Sequence, residues 1–357
     1  MNPISFFSSI FGFVLNHIYI FIQNYGLAII LFTMLLRLAM LPLSIKQQRT
    51  RRKSSEIQGQ VKEIQKKYKG DQQRASAEIM ALYKREKMSP FGGCLQVILQ
   101  FVLIFAMFTL VRNPLTYMRG IDAEGMENFR NYIARQVVVE EQIQEEVIEE
   151  EQEEYMGEEE ISEEEGEVEE EEEIEEERDI VAEQRQQEII EELRSDSYPQ
   201  IRLIRLANER GMVGDSEFGD FYINMEFFGL NLSNVLTEDW RDPAVYIIPA
   251  LFVISSTISI RLTMAMNKKR QKGKDKKEIV LDENGNPKPE EPDMMEQMNK
   301  SMMWMMPIMS VTIAVIAPLG LALYWLTNNV VMIIEILCLN KFLFSKEDQE
   351  NGGQENV

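Results

Sequence analysis

NYGLAIILFTMLLRLAMLPL, residues 24–43, decides how this chain is read. It is long and apolar enough to cross a bilayer, and it carries one charge, Arg37. An arginine near the middle of a spanning helix costs roughly 2.5–3.5 kcal/mol on insertion scales, so such residues normally face a bundle interior or a water-filled cavity. Snorkelling is the competing account. Residues 38–43, about 9 Å of helix, lie between Arg37 and the stretch opening at residue 44, whose first cation is Lys46. Snorkelling over that distance is feasible, and from this residue alone both readings stay open.

Four further apolar stretches follow: 94–111, 244–262, 302–317 and 319–339. Each is at or near the length that spans about 30 Å of hydrocarbon, the one at 302–317 being the shortest. The fold class expected is therefore an all-α membrane protein with five transmembrane helices. Both cysteines, Cys94 and Cys338, lie inside apolar stretches, so no disulfide framework is indicated. With His17 as the one histidine, a two-histidine catalytic or metal site within the chain is excluded.

The net charge of −22 conceals two opposite parts. Residues 115–242 hold 10 Lys and Arg against 41 Asp and Glu, a net of −31, while the remainder carries +9. At its densest, 140–177, the acidic part has 24 carboxylates in 38 positions, a low-complexity, self-repelling run whose usual meaning is a solvated or disordered segment. Its flanks at 137–148 and 179–193 carry enough apolar residues to form helices, and a charged helical hairpin is the alternative reading.

The organisation expected is as follows. Residues 1–18 form an interfacial amphipathic helix, with His17 an interfacial residue rather than a ligand. Residues 19–43 are transmembrane helix 1. Residues 44–90 hold 13 Lys and Arg against 5 Asp and Glu, with Ile57, Val61, Ile64, Ile79 and Leu82 at helical spacing and a turn at 68–71. They read as a cytoplasmic helical hairpin, either a solvated topology anchor or a movable arm. Transmembrane helix 2 occupies 91–113, with Gln96 and Gln100 on one face. The extracellular acidic insertion is 114–242, of which FYINMEFFGLNLSNVL (221–236) returns to apolar composition. Transmembrane helix 3 (243–262), a basic cytoplasmic loop (263–301), transmembrane helices 4 (302–317) and 5 (318–340) and a cytoplasmic tail (341–357) complete the chain. The excess of Lys and Arg at 44–90 and 263–301 puts both in the cytoplasm, hence the N-terminus outside and the C-terminus inside.

No HExxH, phosphate-binding loop or Ser/His pairing exists in the sequence. A proton-coupled transporter is expected to bury several carboxylates. Besides Arg37, the apolar stretches and their ends offer only Arg112, Arg261 and Glu335. The chain is not expected to be an enzyme, and neither cofactor nor metal is expected.

Four blocks resemble the YidC/Oxa/Albino family of membrane protein insertases: NYGLAIILFTMLLRLAMLPLSIKQQ (24–48), EIMALYKREKMSPFGGC (78–94), FFGLNLS (227–233) ahead of the span with Pro249, and PLGLALYWLTNNVVMIIE (318–335). The acidic insertion lies outside the likeness. The resemblance implies five helices enclosing a hydrophilic groove that is open to the cytoplasm and sideways to lipid. It implies a substrate-binding groove in which Arg37 is the positive residue, Thr33 and Gln100 are polar positions, Trp325 is an aromatic contact and Asn329 lies beside it. Residues 44–90 correspond to the family's mobile hairpin. The clients implied are nascent membrane proteins in a bacterial plasma membrane, with the Sec translocon and the ribosome as candidate partners and the lipid bilayer as the destination; no specific binding of nucleic acid is implied. Departures from the family's pattern are Gln96 and Val102 at positions often occupied by proline, and Glu335 in place of a usual glutamine. The tail SKEDQENGGQENV is short and acidic, which speaks against tail-mediated docking on the ribosome. The Met-rich fourth span (Met302, Met303, Met305, Met306, Met309) suits either a pliable client surface or ordinary packing. The function expected is insertion and assembly of membrane proteins. The rivals are a transporter or channel using Arg37 as an anion site, and a structural scaffold needing no groove.

Overall fold

The apolar stretch around Arg37 does not stop at the membrane boundary expected from composition. In the computed structural model, which describes residues 3–68, 70–86, 92–156, 167–211, 218–272, 309 and 311–344, it belongs to one helix, α2 (Tyr25–Lys67), that runs on through Pro42 into the basic region. Asn24 caps its start, accepting from the Leu27 N–H and donating to the Glu226 carbonyl. Ahead of it lies α1 (Pro3–Ile22), and behind it α3 (Gln72–Arg85) and α4 (Gly92–Arg112). The turn expected at 68–71 separates α2 from α3, with Asp71 as the N-cap of α3.

By length and composition four helical segments can span a membrane: Pro3–Ile22, Tyr25–Thr50, Pro243–Met266 and Leu319–Phe342. Phe101–Arg112 is a shorter apolar helix. The first of these covers the segment expected as a helix at 1–18 and runs on to Ile22, with Ser8 fully buried and Phe6, Phe13 and Phe21 exposed. The junction at 87–91, most of the basic loop (273–301), half of the fourth span (302–308 and 310) and the tail at 345–357 lie outside the described residues, as do the side chains of Gln96 and Gln100.

The chain divides into two compact units. The first comprises Met1–Phe7, Ile18–Phe108 and Met225–Val357. Its centre is α2 packed with α8 (Ile247–Lys272) and α9 (Leu319–Cys338). On α2, Tyr25, Ala28, Ile29 and Phe32 recur at helical spacing and are buried. Every residue from Leu319 to Trp325 of α9 is buried. A short hairpin, β1 (Glu226–Phe227) and β2 (Leu230–Asn231), turns through Phe228 and Gly229. Both turn residues have positive φ (50° and 78°), as a two-residue hairpin of this hand requires. Just beyond the hairpin, the carbonyls of Asn234 and Leu232 accept from the N–H groups of Leu319 and Gly320, satisfying two of the orphan donors that open α9. Along the basic half of α2, Ile57 and Val61 are buried with Ala75 and Leu82 of α3, and Arg85 donates to Gln60 at 2.9 Å.

The second unit comprises Ser8–His17 and Thr109–Asn224 and contains α5 (Ala123–Met156), α6 (Glu167–Ser195) and α7 (Pro199–Glu209). Helix extends into the acidic run from both sides, leaving 157–166 outside the described residues, where composition alone favours a solvated or disordered segment. The difference has two causes. Phe129, Ile133, Ile190, Leu193, Leu203 and Ile204 are buried together where the helices pack, and cross-helix pairs offset part of the carboxylate repulsion. Arg185 holds Glu141 through two hydrogen bonds of 3.0 and 3.1 Å, Arg194 reaches Glu127 at 2.5 Å, and Arg210 reaches Glu140 at 2.9 Å.

Candidate functional site

Two spacings of seven residues build the polar site of the first unit. On α2, Arg37 and Ser44 are seven apart; on α9, Asn328 and Glu335 are seven apart. Seven residues are close to two helical turns, so each pair lies on one face of its helix. The helices bring the two pairs together. Arg37 Nε donates to Asn328 Oδ1 at 2.7 Å, and its Nη2 stands 3.5 Å from the Asn328 carbonyl. Its Nη1 lies 3.6 Å from Glu335 Oε2, with the two side chains 19% and 7% exposed. The Ser44 hydroxyl donates to the other carboxylate oxygen, Glu335 Oε1.

These groups line a cavity with about 50 Å³ of room for water, bounded also by Met40, Gln47, Leu103 and Tyr324. A volume of roughly 10–15 Å³ in this measure admits one water, so the cavity holds a few. The desolvation cost of Arg37 is offset by an amide, a carboxylate and access to water. This arrangement can hold a carboxylate or another small anion, since Nη1 makes no hydrogen bond to Glu335.

The other residues expected at the site are placed differently. Thr33 is fully buried, and its hydroxyl donates to the Ile29 carbonyl of its own helix at 2.7 Å. Trp325 packs against Phe252 of α8, ring centroids 5.7 Å apart and planes at 30°. The indole Nε1 of Trp325 and the Nδ2 of Asn329, one turn further on, find no partner among the described residues. Gln100 lies on α4, its side chain outside the described residues. Asn328 and Ser44 were missed from the sequence, and Glu335 was noted there as an ionisable residue near a span end and as a departure, without a site role. The signal that finds them is the pairing of two seven-residue spacings, one of which starts at the isolated arginine. Among the described residues no three His, Cys, Asp or Glu side chains converge as a metal site.

These features define a multi-pass α-helical membrane protein with an ion pair beside a water-sized cavity among its helices. The sequence model of the 60Kd inner membrane protein family matches residues 17–165 and 220–347, well over half of the chain, and the chain belongs to that family. A protein of Caldanaerobacter subterraneus subsp. tengcongensis named Membrane protein insertase YidC is 42% identical over 101 residues, 28% of this chain and 49% of that relative. A protein of the same name from Francisella tularensis subsp. novicida is 41% identical over 105 residues, 29% of this chain and 19% of that relative. The chain therefore spans about half of the first relative's length and about a fifth of the second's.

Proposed function

We propose that the chain is a membrane protein insertase and assembly chaperone. It accepts hydrophobic segments of nascent membrane proteins in a hydrophilic groove and releases them sideways into lipid. The observation that carries this reading is Arg37, a cation held beside a water-sized cavity on a helix otherwise apolar from Tyr25 to Ser44. Translocating a polar segment is costly because its groups lose water. A wet site partway across shortens the dry path, and a fixed cation attracts acidic residues of the incoming segment. Departure of the hydrophobic helix into lipid is then downhill, and no nucleotide is consumed.

In this reading Arg37 and Gln100 supply the polar lining, with Thr33 behind Arg37 shaping the helix. Trp325 supplies the aromatic contact with the client, and Asn329 lies beside it. Residues 44–90 act as a cytoplasmic hairpin, the N-terminus is outside and the C-terminus in the cytoplasm. Nascent chains are the partners, delivered by the ribosome or shared with the Sec translocon.

The test is reconstitution of the purified chain into liposomes with a small single-span client. Insertion well above that into empty liposomes is expected. Insertion equal to empty liposomes, or solute flux without insertion, sinks this reading.

A further inference from the structure

The two oxygens of Glu335 are divided between two partners of unequal kind. Oε1 accepts from the Ser44 hydroxyl, while Oε2 faces Arg37 Nη1 at 3.6 Å. That separation is too long for a hydrogen bond, so the contact with Arg37 is Coulombic only. The firm hold on the guanidinium comes instead from Asn328, through Nε at 2.7 Å. A neutral amide fixes the arginine, and a carboxylate that it does not hydrogen-bond neutralises it.

From this division we infer that Glu335 is an exchangeable counter-ion. An acidic residue of an incoming segment takes its place beside Arg37 Nη1, and Ser44 retains the displaced carboxylate. The inference rests on the insertase reading and adds to it the residue that decides which segments gain from the charge of Arg37. With Glu335 in place the site carries one positive and one negative group, so a neutral segment meets little field. An acidic segment must compete with a carboxylate tethered at high effective concentration. With Glu335 retained on Ser44, the cavity then holds two carboxylates around one cation, and their repulsion keeps the hold on the segment weak and its release easy. A cavity with room for a few waters gives the two carboxylates a path past each other that a close-packed pair would lack.

The experiment uses the full chain in liposomes and two single-span clients that differ only by Asp or Asn in the translocated segment. The readout is the ratio of Asp-client to Asn-client insertion. Glu335→Gln keeps the shape and an acceptor for Ser44 while removing the competing charge. It should raise the ratio roughly three- to tenfold, the scale for freeing a partly buried cation from its ion pair. The double variant Arg37→Gln with Glu335→Gln leaves no unpaired charge and should bring the ratio back to the wild-type value or below it. Ser44→Ala, which removes the resting place of the displaced carboxylate, should lower the ratio and serves if Glu335→Gln does not survive purification. An unchanged ratio in Glu335→Gln, an equal rise in the double variant, or a rise in Ser44→Ala overturns the proposal. Failure of the insertase reading has a separate signature, in which the wild-type chain inserts neither client better than empty liposomes; that outcome removes both.

Discussion

Each unit of the molecule contains an arginine–glutamate pair between helices, in opposite settings. Arg185 and Glu141 of the second unit meet through two hydrogen bonds near 3 Å, with side chains 46% and 42% exposed. Arg37 and Glu335 of the first unit stand 3.6 Å apart without a hydrogen bond, and are 19% and 7% exposed. Geometry alone would rank the Arg185 pair first. Water reverses the order: it competes for both members of the exposed pair, so their meeting contributes little. The buried pair contributes little net stability when intact, but losing one member strands the other away from solvent. Burial, more than hydrogen-bond length, sets what each pair is worth.

The largest effect should therefore come from the looser pair. Arg37→Ala leaves the Glu335 carboxylate with Ser44 alone and is expected to cost about 3 kcal/mol, the lower part of the range for breaking a buried pair because the cavity admits water. A chemical-denaturation series on the purified chain in detergent measures it. A loss as small as that from Arg185→Ala would break the comparison.

A smaller effect separates shape from charge. A side-chain carbon added at Gly12, in the second unit, would lie 2.0 Å from the Tyr117 carbonyl oxygen, which is backbone. One added at Gly26, in the first unit, would lie 2.3 Å from the ring of Phe227, which can turn away, and 2.9 Å from its Cβ, which needs only a small backbone shift. Gly12→Ala should destabilise by about 1–3 kcal/mol through forced backbone movement, and Gly26→Ala by less. The thermal midpoints of the two variants in detergent check the order, and equal midpoints would mean that Phe227 is held as firmly as backbone.

Much of this was legible in the sequence, in unequal measure. Hydropathy located the segments 24–43, 244–262 and 319–339 because a bilayer-length apolar run is a long-range property of composition. The turn at 68–71 was legible from its local chemistry. The face of α9 turned toward Arg37 was not. Asn328 and Asn329 are adjacent, about 100° apart around a helix, and hydropathy treats them alike. The resemblance pointed to Asn329, whereas Asn328 is the residue that meets Arg37. Thr33 lies one turn before Arg37 on α2, and its hydroxyl is spent on its own backbone, a choice that packing makes. The helices of the acidic run were legible only at their flanks, because net charge counts carboxylates and does not record which arginines stand opposite.

The smallest effect tests the exposed pair by pH. Arg185, through its hydrogen bonds, holds the Glu141 carboxyl below its ordinary value of 4.5. A group whose folded pKa is depressed adds stability above the unfolded value and loses it as pH falls through the folded one. The link between α5 and α6 is thus intact at neutral pH, weakens only below the ordinary glutamate range, and is gone once Glu141 is protonated. Arg185→Gln should broaden the distance distribution between spin labels on α5 and α6 at neutral pH, and the difference from wild type should vanish in acid. Added salt should shrink the same difference at neutral pH, because an exposed pair is screened. It should leave the cost of Arg37→Ala nearly unchanged, since that pair is partly shielded from mobile ions. A wild-type-to-variant difference at Arg185 that persists in acid and in salt would show the side chain acting by packing, and the contrast between the two pairs would then rest on shape instead of water.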